Sequence, residues 1–281
     1  MLGEALESAT DALAAIGVPT PRLDAEVMLA AATGLDRAAL IAAPDAVLPP
    51  PAARAFGEMV RRRLRREPVA YVLGRKGFRR IELEVDRRVL VPRPETELLV
   101  ELAVELGPAR LLDVGTGSGA IALAVADELP DCAVVATDTS APALELAGAN
   151  AERLGLAERV EFRTGTLPEA GGFDLVLANL PYVAERDWPG LAPELTRWEP
   201  REAFVAGPDG LDAYRDFIPA LGRLRDSDHR ASEGPRPAGV VGLEVGEGQA
   251  GAVVAMLDAA GFTGMETRRD LAGIERIVVG R

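Results

Sequence analysis

Hydrophobic residues recur at helical spacing through the first seventy residues of this chain. The first run places apolar side chains three or four positions apart, at Leu2, Leu6, Ala9, Leu13 and Ile16. This spacing predicts a helix with one buried face, which Gly17 and Pro19 then end. Similar runs predict helices over 23–34 and 56–64, and Asp36 can cap a short helix between them. We expect residues 1–74 to form a small helical bundle.

The hydrophobic period changes after Lys76. Apolar side chains at Phe78, Ile81, Leu83 and Val85 precede the charged run 86–88, which is followed by Val89, Leu90 and Val91. Two alternating runs around a polar turn predict a β-hairpin. We place this hairpin at residues 75–92, as a link to a second domain.

Strands and helices alternate through residues 93–281. The strand candidates are Arg110–Val114, Ala133–Thr137, Val160–Arg163, Phe173–Ala178, Val240–Val245 and Arg276–Val279. The helix candidates are a run opened by Pro94, then Ala120–Glu128, Ala141–Leu154, Leu211–Leu224 and Gln249–Ala260. Such alternation predicts an α/β fold with a doubly wound, mostly parallel sheet. The segment Asp226–Pro237, which contains the single histidine His229, is polar, and we predict that it forms a mobile surface loop.

Composition and charge exclude several classes of function. The 281 residues contain one cysteine, Cys132, and one histidine, which argues against a disulfide framework, a cysteine-based metal site and a multi-histidine metal site, and we expect no metal. The net charge of −13 opposes stable nucleic-acid binding. The acidic N-terminus has no signal-peptide pattern, and no run of about 18 apolar residues predicts a membrane span. We therefore expect a cytoplasmic protein with no membrane contact.

A glycine-rich turn follows the first strand of the predicted sheet. The turn consists of Gly115, Thr116, Gly117, Ser118 and Gly119, and Asp138 stands at the end of the next strand. Glycines let the backbone approach a ligand closely, and a carboxylate at this place can accept both ribose hydroxyls. The unit therefore predicts binding of a ligand that contains adenosine.

Two details of this turn favour S-adenosylmethionine as the ligand. The spacing is G-x-G-x-G rather than the G-x-G-x-x-G of dinucleotide enzymes, and Asp113 stands two residues before the first glycine. A pyrophosphate needs a bare helix N-terminus, whereas an acid suits the ammonium and sulfonium of S-adenosylmethionine.

A second group of candidate residues follows the strand Phe173–Ala178. Asn179 offers a side-chain carbonyl, Leu180 a backbone carbonyl that Pro181 keeps in extended geometry, and Tyr182 a flat wall. Together they can accept both hydrogens of a planar amino group and aim its nitrogen at a methyl donor. A primary amide and the exocyclic amine of a nucleobase both carry such a group, so the residues alone leave both substrates open.

Several stretches together resemble the release-factor glutamine N5-methyltransferases, often called the PrmC or HemK type. Asn179–Tyr182 is similar to the N-P-P-Y signature of amino-group methyltransferases. The other similar stretches are Glu67–Gly74, Val89–Glu97, Glu199–Arg201, Gly207–Tyr214 and Asp270–Arg276. The resemblance covers nearly the whole chain.

The resemblance implies a Rossmann-like class I methyltransferase sheet behind a small helical substrate-docking domain. It implies methyl transfer from S-adenosylmethionine to the side-chain amide N5 of the glutamine in the Gly-Gly-Gln motif of peptide-chain release factors. The family usually has proline where Leu180 stands, but leucine keeps the backbone carbonyl. The family often has an acid after the third strand, where this chain has Gly165 and Thr166. We include Thr166 in the cofactor site, and Asn179 in both the cofactor site and the catalytic group.

Two other functions remain open at this point. The first is a base-amine N-methyltransferase acting on DNA or RNA, for which the run Arg61, Arg62, Arg63, Arg65 and Arg66 is the one favourable feature. The second is a non-catalytic module that senses S-adenosylmethionine. The intact Asn179 and Tyr182 argue against a sensor.

Overall fold

The computed structural model describes residues 1–168, 172–231 and 239–281. The α-helices are α1 Leu2–Ala15, α2 Pro21–Thr33, α3 Arg37–Ala42, α4 Pro50–Leu64, α5 Val69–Leu73, α6 Glu97–Leu106, α7 Ala120–Glu128, α8 Ala141–Leu154, α9 Pro193–Trp198, α10 Asp212–Ala231 and α11 Ala250–Ala259. The strands are β1 Arg75–Phe78, β2 Ile81–Glu84, β3 Arg110–Val114, β4 Ala133–Asp138, β5 Val160–Thr164, β6 Leu175–Ala178, β7 Val240–Glu244, β8 Glu266–Arg269 and β9 Glu275–Gly280. Short 3-10 helices cover Pro94–Thr96, Trp188–Gly190 and Arg201–Ala203.

The described residues separate into two compact units. The first contains Met1–Arg75 and Ala192–Trp198, and the second contains Lys76–Leu191 and Glu199–Arg281. The inclusion of 192–198 in the first unit was not among the sequence predictions, because α9 lies far along the chain from the other helices of that unit.

The first unit is all helical, as its hydrophobic spacing predicts. The side chains that α1 buries are those of its apolar face, Leu2, Leu6, Ala9 and Leu13. Gly34 and Gly74 end α2 and α5 in the left-handed conformation that glycine adopts without strain. Asp36 caps α3, since its Oδ1 atom accepts a hydrogen bond from the Ala39 amide at 2.7 Å.

The second unit is built on a seven-stranded sheet in the order β5-β4-β3-β6-β7-β9-β8. Strands β3 to β7 pair in parallel, and β9 pairs antiparallel with both β7 and β8. The chain therefore winds outward from β3 in both directions, which confirms the doubly wound sheet. The chain leaves β3 toward one side of the sheet and leaves β6 toward the other, so a crevice opens between the carboxyl ends of these two strands. Folds of this kind bind ligands in that crevice.

Three sequence expectations need correction. The hairpin turns at Arg79–Arg80, between β1 and β2, rather than at 86–88. Val89 and Val91 are buried but lie outside any strand, so burial and not strand pairing explains their apolar character. Strand β8 was missed because its sequence, ETRR, has no apolar alternation.

The expected loop Asp226–Pro237 is helical in its first part, because α10 continues to Ala231. Residues 232–237 of that expectation lie outside the described residues. Among the helices that the structure describes, none combines the length and the hydrophobicity needed to cross a membrane.

Candidate active site

The two turns singled out in the sequence lie side by side at the carboxyl ends of neighbouring strands. Val114, the last residue of β3, is opposite Ala178, the last residue of β6. Gly115 and Asn179 are therefore adjacent, and a Cβ atom added to Gly115 would lie 3.7 Å from the Asn179 carbonyl oxygen. Parallel pairing thus brings together two motifs that are far apart in sequence.

The glycine-rich turn is held by the neighbouring strand β4. The amides of Gly115 and Thr116 both donate to the carbonyl of Thr137, at 2.8 and 2.9 Å. Gly115, Gly117 and Gly119 all have positive φ, and a Cβ atom on Gly119 would lie 2.8 Å from the Leu123 Cδ1 atom. Side chains at these places would strain the backbone or displace α7, which explains the choice of glycine.

Asp113 lies beneath the turn and is fully buried. Its Oδ2 atom accepts hydrogen bonds from the Thr116 hydroxyl at 2.6 Å and from the Ala122 amide at 3.1 Å. Its Oδ1 atom is buried and has no hydrogen-bond partner among the described residues. Burial is the main cause that raises the pKa of this carboxyl to about 7, so a nearby cation would favour its ionised form.

Asp138 is half-buried at the end of β4. Its Oδ2 atom accepts from the Gly117 amide at 2.9 Å, and its Oδ1 atom accepts from the Ser140 amide at 2.8 Å. A carboxylate has about four lone-pair sites, so each oxygen keeps one for a further donor. The carboxylate is therefore fixed in place with capacity left for two hydroxyls.

The remaining cofactor-site candidates differ in exposure. Ser118 is buried, and its carbonyl accepts from the Nδ2 atom of the buried Asn150 at 3.0 Å. Thr166 is exposed after β5, and its carbonyl accepts from the Thr137 hydroxyl at 2.8 Å. Asn150, which also pairs with the Glu84 backbone through both side-chain atoms, was not predicted from the sequence.

Asn179 and Leu180 present two carbonyl oxygens at the end of β6. The Asn179 Nδ2 atom donates to the Thr96 hydroxyl at 3.0 Å. Within the part of the chain that the structure describes, no group donates to the Asn179 Oδ1 atom or to the Leu180 carbonyl. Two acceptors thus stand together, and both can receive hydrogens from outside the protein.

Tyr182 is positioned by contacts to the segment after β7. Its carbonyl accepts from the Gln249 Nε2 atom at 2.9 Å, and a Cβ atom on Gly246 would lie 3.1 Å from the ring Cδ2 atom. Burial, followed by the nearby Glu244 carboxylate, raises the pKa of its hydroxyl to about 12. The Tyr182 side chain is therefore uncharged near neutral pH and offers a flat aromatic surface.

Glu244, the last residue of β7, is a buried carboxyl group that was not among the predicted site residues. Burial raises its pKa to about 7, and the nearby polar groups of Thr96 and Tyr182 oppose that rise. Its Oε2 atom is buried without a partner among the described residues. An acid at the carboxyl end of an apolar strand was the signal that could have identified it.

Two of the stretches that carry the family resemblance meet in the structure. The buried Glu199 carboxylate accepts from the Val91 amide at 2.9 Å and from the Arg93 guanidinium at 2.6 Å. Glu199 therefore anchors the segment that leads into Pro94–Thr96, and with it the Thr96 hydroxyl that contacts Asn179.

Comparison with known proteins identifies the family. Residues 4–74 match the PrmC N-terminal domain, and residues 111–199 match a methyltransferase domain. The release factor glutamine methyltransferase of Geobacter sulfurreducens is 42% identical over 96% of this chain and 92% of that protein. The release factor glutamine methyltransferase of Rhodospirillum rubrum is 38% identical over 100% of this chain and 85% of that protein.

A solved structure supports the fold. The catalytic domain of human Mettl16, crystallised with the MAT2A 3′UTR hairpin 6, matches 70% of this chain and 74% of that chain with a TM-score of 0.53 and 14% identity. That likeness shows a class I methyltransferase sheet and nothing about substrate. Identity at this level over nearly the full length of both relatives, together with the PrmC N-terminal domain, shows that the chain belongs to the release factor glutamine methyltransferase family.

Proposed function

We propose that this protein transfers a methyl group from S-adenosylmethionine to the side-chain amide nitrogen N5 of the glutamine in the Gly-Gly-Gln motif of peptide-chain release factors. The observation that carries the proposal is the pair of acceptors at Asn179 Oδ1 and Leu180 O, beside the glycine-rich turn. A primary amide has two N–H groups, and the pair offers one oxygen to each.

The turn and its neighbours fit S-adenosylmethionine. The Asp138 carboxylate is oriented by two backbone amides and keeps lone pairs for the ribose hydroxyls. The buried Asp113 Oδ1 atom lacks a partner among the described residues, and an ammonium group can satisfy it directly or through water. Gly117 offers open space for an approaching ligand, since a Cβ atom there would meet nothing within 4 Å. We assign Gly115–Gly119 and Thr166 to the rest of the cofactor site.

An amide nitrogen is a poor nucleophile because its lone pair is delocalised into the carbonyl. The described site offers no histidine or lysine to deprotonate it. The protein instead holds the amide, because Asn179 and Leu180 accept its hydrogens and Tyr182 lies against its plane. Positioning of this kind can lower a barrier by about 7–11 kcal/mol.

The bound cofactor supplies a methyl group on a sulfonium, and transfer leaves S-adenosylhomocysteine, N5-methylglutamine and one proton. The nitrogen becomes positive as the N–C bond forms, so its hydrogens bind more strongly to the Asn179 and Leu180 oxygens. Those two acceptors therefore stabilise the transition state more than the bound substrate, which is the condition for catalysis.

We further propose that residues 1–74 hold the body of the release factor, that 75–92 link the domains, and that 93–281 carry the transfer. An exposed glycine-rich loop can reach a crevice at a sheet edge, whereas a structured domain needs a separate docking surface. Because release factors act in translation termination, we place the protein in the cytoplasm.

Four of the five arginines in the run are paired with carboxylates, which weakens the base-amine alternative. Arg61 pairs with Glu58 at 2.5 Å, Arg62 pairs with Glu67, and Arg63 is buried between Asp24 and Glu194 at 2.8 Å from each. Arg66 also pairs with Glu194 at 2.8 Å. Cations already neutralised by carboxylates contribute little to binding phosphates.

Mass spectrometry of a purified release factor, incubated with this protein and S-adenosylmethionine, tests the proposal. We expect one added methyl group on the glutamine of the Gly-Gly-Gln motif and none on a release factor with alanine at that place. Duplex DNA and ribosomal RNA serve as competing substrates. Methylation of either nucleic acid with none of the release factor would favour the alternative.

A further inference from the structure

The side chain of Asn150 joins the glycine-rich turn to the hairpin strand β2. Its Nδ2 atom donates to the Ser118 carbonyl at 3.0 Å and to the Glu84 carbonyl at 3.0 Å. Its Oδ1 atom accepts from the Glu84 amide at 2.7 Å. Asn150 lies on α8 and is fully buried, so water cannot easily replace these hydrogen bonds. Helix α8 therefore ties the turn after β3 to the end of β2.

These three hydrogen bonds allow only one orientation of the Asn150 amide. An NH2 group has two hydrogens, and here each of them meets a carbonyl oxygen. A turned amide would point its oxygen at both carbonyls and its hydrogens at the Glu84 amide, and it would lose all three bonds. The Glu84 backbone therefore fixes which atom of Asn150 faces Ser118.

The peptide group between Ser118 and Gly119 is held from both sides. Its carbonyl accepts from Asn150, and its amide donates to the Thr116 carbonyl at 2.9 Å. A peptide group is planar, so a hydrogen bond at each end prevents it from rotating. Asn150 supplies one of the two bonds, and it does so from outside the turn.

The amide of Ser118 belongs to the preceding peptide group, between Gly117 and Ser118. The Gly117 amide is anchored in turn, because it donates to the Asp138 Oδ2 atom at 2.9 Å. Among the hydrogen bonds of the described residues, none uses the Ser118 amide as donor, although Ser118 is only 2% exposed. Such a donor is costly unless a ligand accepts from it. The Ser118 amide is thus a fixed donor between two anchored peptide groups.

We propose that Asn150 is a positioning residue for the cofactor, which aims the Ser118 amide at the carboxylate of the methionine part by locking the Ser118 carbonyl. A carboxylate is a strong acceptor for backbone amides because the hydrogen bond is assisted by charge. The proposal rests on the assignment of Gly115–Gly119 to S-adenosylmethionine in the proposed function. It deepens that function by naming the group outside the turn that sets its geometry.

The ribose end of the ligand does not depend on Asn150. Asp138, proposed for the ribose, is held by the Gly117 amide and by the amide of Ser140, the N-cap residue of α8. Asn150 lies near the other end of α8 and contacts the turn only at Ser118. Loss of its side chain should therefore weaken binding of the methionine part and spare binding of the adenosine part.

Calorimetry with two ligands tests this separation without any protein substrate. S-adenosylhomocysteine carries the amino and carboxylate groups, whereas 5′-methylthioadenosine lacks both. In Asn150→Ala we expect affinity for S-adenosylhomocysteine to fall about 10- to 100-fold, the equivalent of one hydrogen bond to a charged group, and affinity for methylthioadenosine to stay within about twofold. Asn150→Asp keeps the volume and the acceptor for the Glu84 amide but loses both donors, so the same pattern should appear if the alanine variant does not fold.

Arg153→Ala is the matched control. Arg153 lies on the same helix, and its Nη2 atom donates to the Glu82 carbonyl on the same strand, but it has no hydrogen bond to Ser118. Both ligands should bind this variant as they bind wild type. Melting temperatures show that each variant is folded.

The possible outcomes are distinct. An equal loss of affinity for both ligands in the Asn150 variants would mean that Asn150 only stabilises the turn, and wild-type affinity for S-adenosylhomocysteine would also overturn the proposal. The same selective loss in Arg153→Ala would assign the effect to the contact between α8 and β2 rather than to the Ser118 carbonyl. If the loss is selective in the Asn150 variants alone but no release factor is methylated, the role of Asn150 stands and the proposed substrate is wrong.

Discussion

The Nδ2 atom of Asn179 lies 3.0 Å from the hydroxyl oxygen of Thr96, a residue 83 positions earlier in the chain. This hydrogen bond joins the turn after β6 to the 3-10 helix Pro94–Thr96 that precedes α6. The nitrogen of the Asn179 amide is therefore bound within the protein, and in the proposed function its oxygen faces the substrate. The predicted effects of substitutions at Asn179 follow from that division.

Replacing Asn179 by alanine should lower kcat and leave cofactor affinity unchanged. In the proposed mechanism the lost Oδ1 acceptor binds most strongly in the transition state, and by analogy with oxyanion-hole donors we expect a decrease of about 10²–10³-fold. Asn179→Asp keeps an acceptor and adds a charge close to a sulfonium, so partial activity and tighter cofactor binding are expected. Rate, calorimetric affinity and melting temperature should be measured on the same samples. Joint loss of all three in Asn179→Ala would mean that Asn179 only stabilises the turn.

Leu180→Pro tests whether the backbone carbonyl is the functional group at that position. Among the hydrogen bonds of the described residues, none uses the Leu180 amide as donor, so proline removes no such bond. The Leu180 side chain is 8% exposed and packs in the core, so some stability should be lost. We expect kcat to stay at or above the wild-type value.

Leu180→Ala is the matched control for that substitution. It loses similar packing, worth about 2–5 kcal/mol for a buried leucine, but retains the amide hydrogen. Similar stability losses in both variants with preserved kcat support a role for the carbonyl alone. A large fall in kcat for Leu180→Pro, without one for Leu180→Ala, would show that proline displaces the carbonyl.

Asp138→Ala should weaken cofactor binding by about 1.5–3 kcal/mol, the contribution of a hydrogen bond to a charged group. The same carboxylate also accepts from the Gly117 and Ser140 amides, so the cofactor-free variant should melt at a lower temperature. Asp138→Asn keeps one acceptor oxygen and should lie between alanine and wild type in both measurements. Wild-type affinity in Asp138→Ala would remove Asp138 from the ribose site.

The candidate-site residues that could be predicted are those that follow one another in the sequence directly after a strand. Asn179, Leu180 and Tyr182 follow an apolar strand, and the glycine-rich turn follows another, so the rule for parallel sheets places both at one edge. Thr96 and Glu244 were missed because each stands alone in its segment. Only the folded chain brings them to Asn179 and Tyr182.

The predicted helices and strands match the structure wherever buried apolar residues repeat at the period of a helix or a strand. Strand β3 and helices α7 and α8 have the predicted bounds, because their apolar runs are flanked by glycine or proline. The pattern failed for β8, which pairs only with β9 at the edge of the sheet and needs no apolar face. It also failed at Val89–Val91, where Glu199 accepts the Val91 amide in place of a partner strand.

The docking proposal for residues 1–74 predicts a change in substrate binding alone. Ile41 and Val47 are large hydrophobic side chains that are 58% and 77% exposed. Burial of their apolar surface against a partner would contribute about 25 cal/mol of binding free energy for each square ångström. We expect the double variant Ile41→Asp, Val47→Asp to raise KM for the release factor at least several fold, with kcat and cofactor affinity unchanged.

Leu271→Asp is the control for that experiment, because Leu271 is fully exposed in the second unit. It adds the same kind of charge on an exposed leucine and should leave KM unchanged. A wild-type KM in the double variant would show that these two side chains are not part of the docking surface. An equal rise in KM for both proteins would point to a general effect of negative charge.

The last prediction concerns stability against pH in the cofactor-free protein. The folded-state pKa of Glu244 is raised from 4.5 to about 7 by burial, so the native state holds a proton that the unfolded state releases between these values. Its contribution to stability is therefore complete below about pH 4.5 and is lost as pH rises through about 7.

The variant Glu244→Gln stays neutral at every pH. The free energy of unfolding of this variant minus that of wild type should therefore be about 3 kcal/mol larger above about pH 7 than at low pH. Denaturant unfolding of both proteins at about pH 4 and about pH 8 measures this difference. Asp113 shifts in the same direction in both proteins and cancels in the comparison. A difference that does not grow with pH would show that folding does not raise the pKa of Glu244.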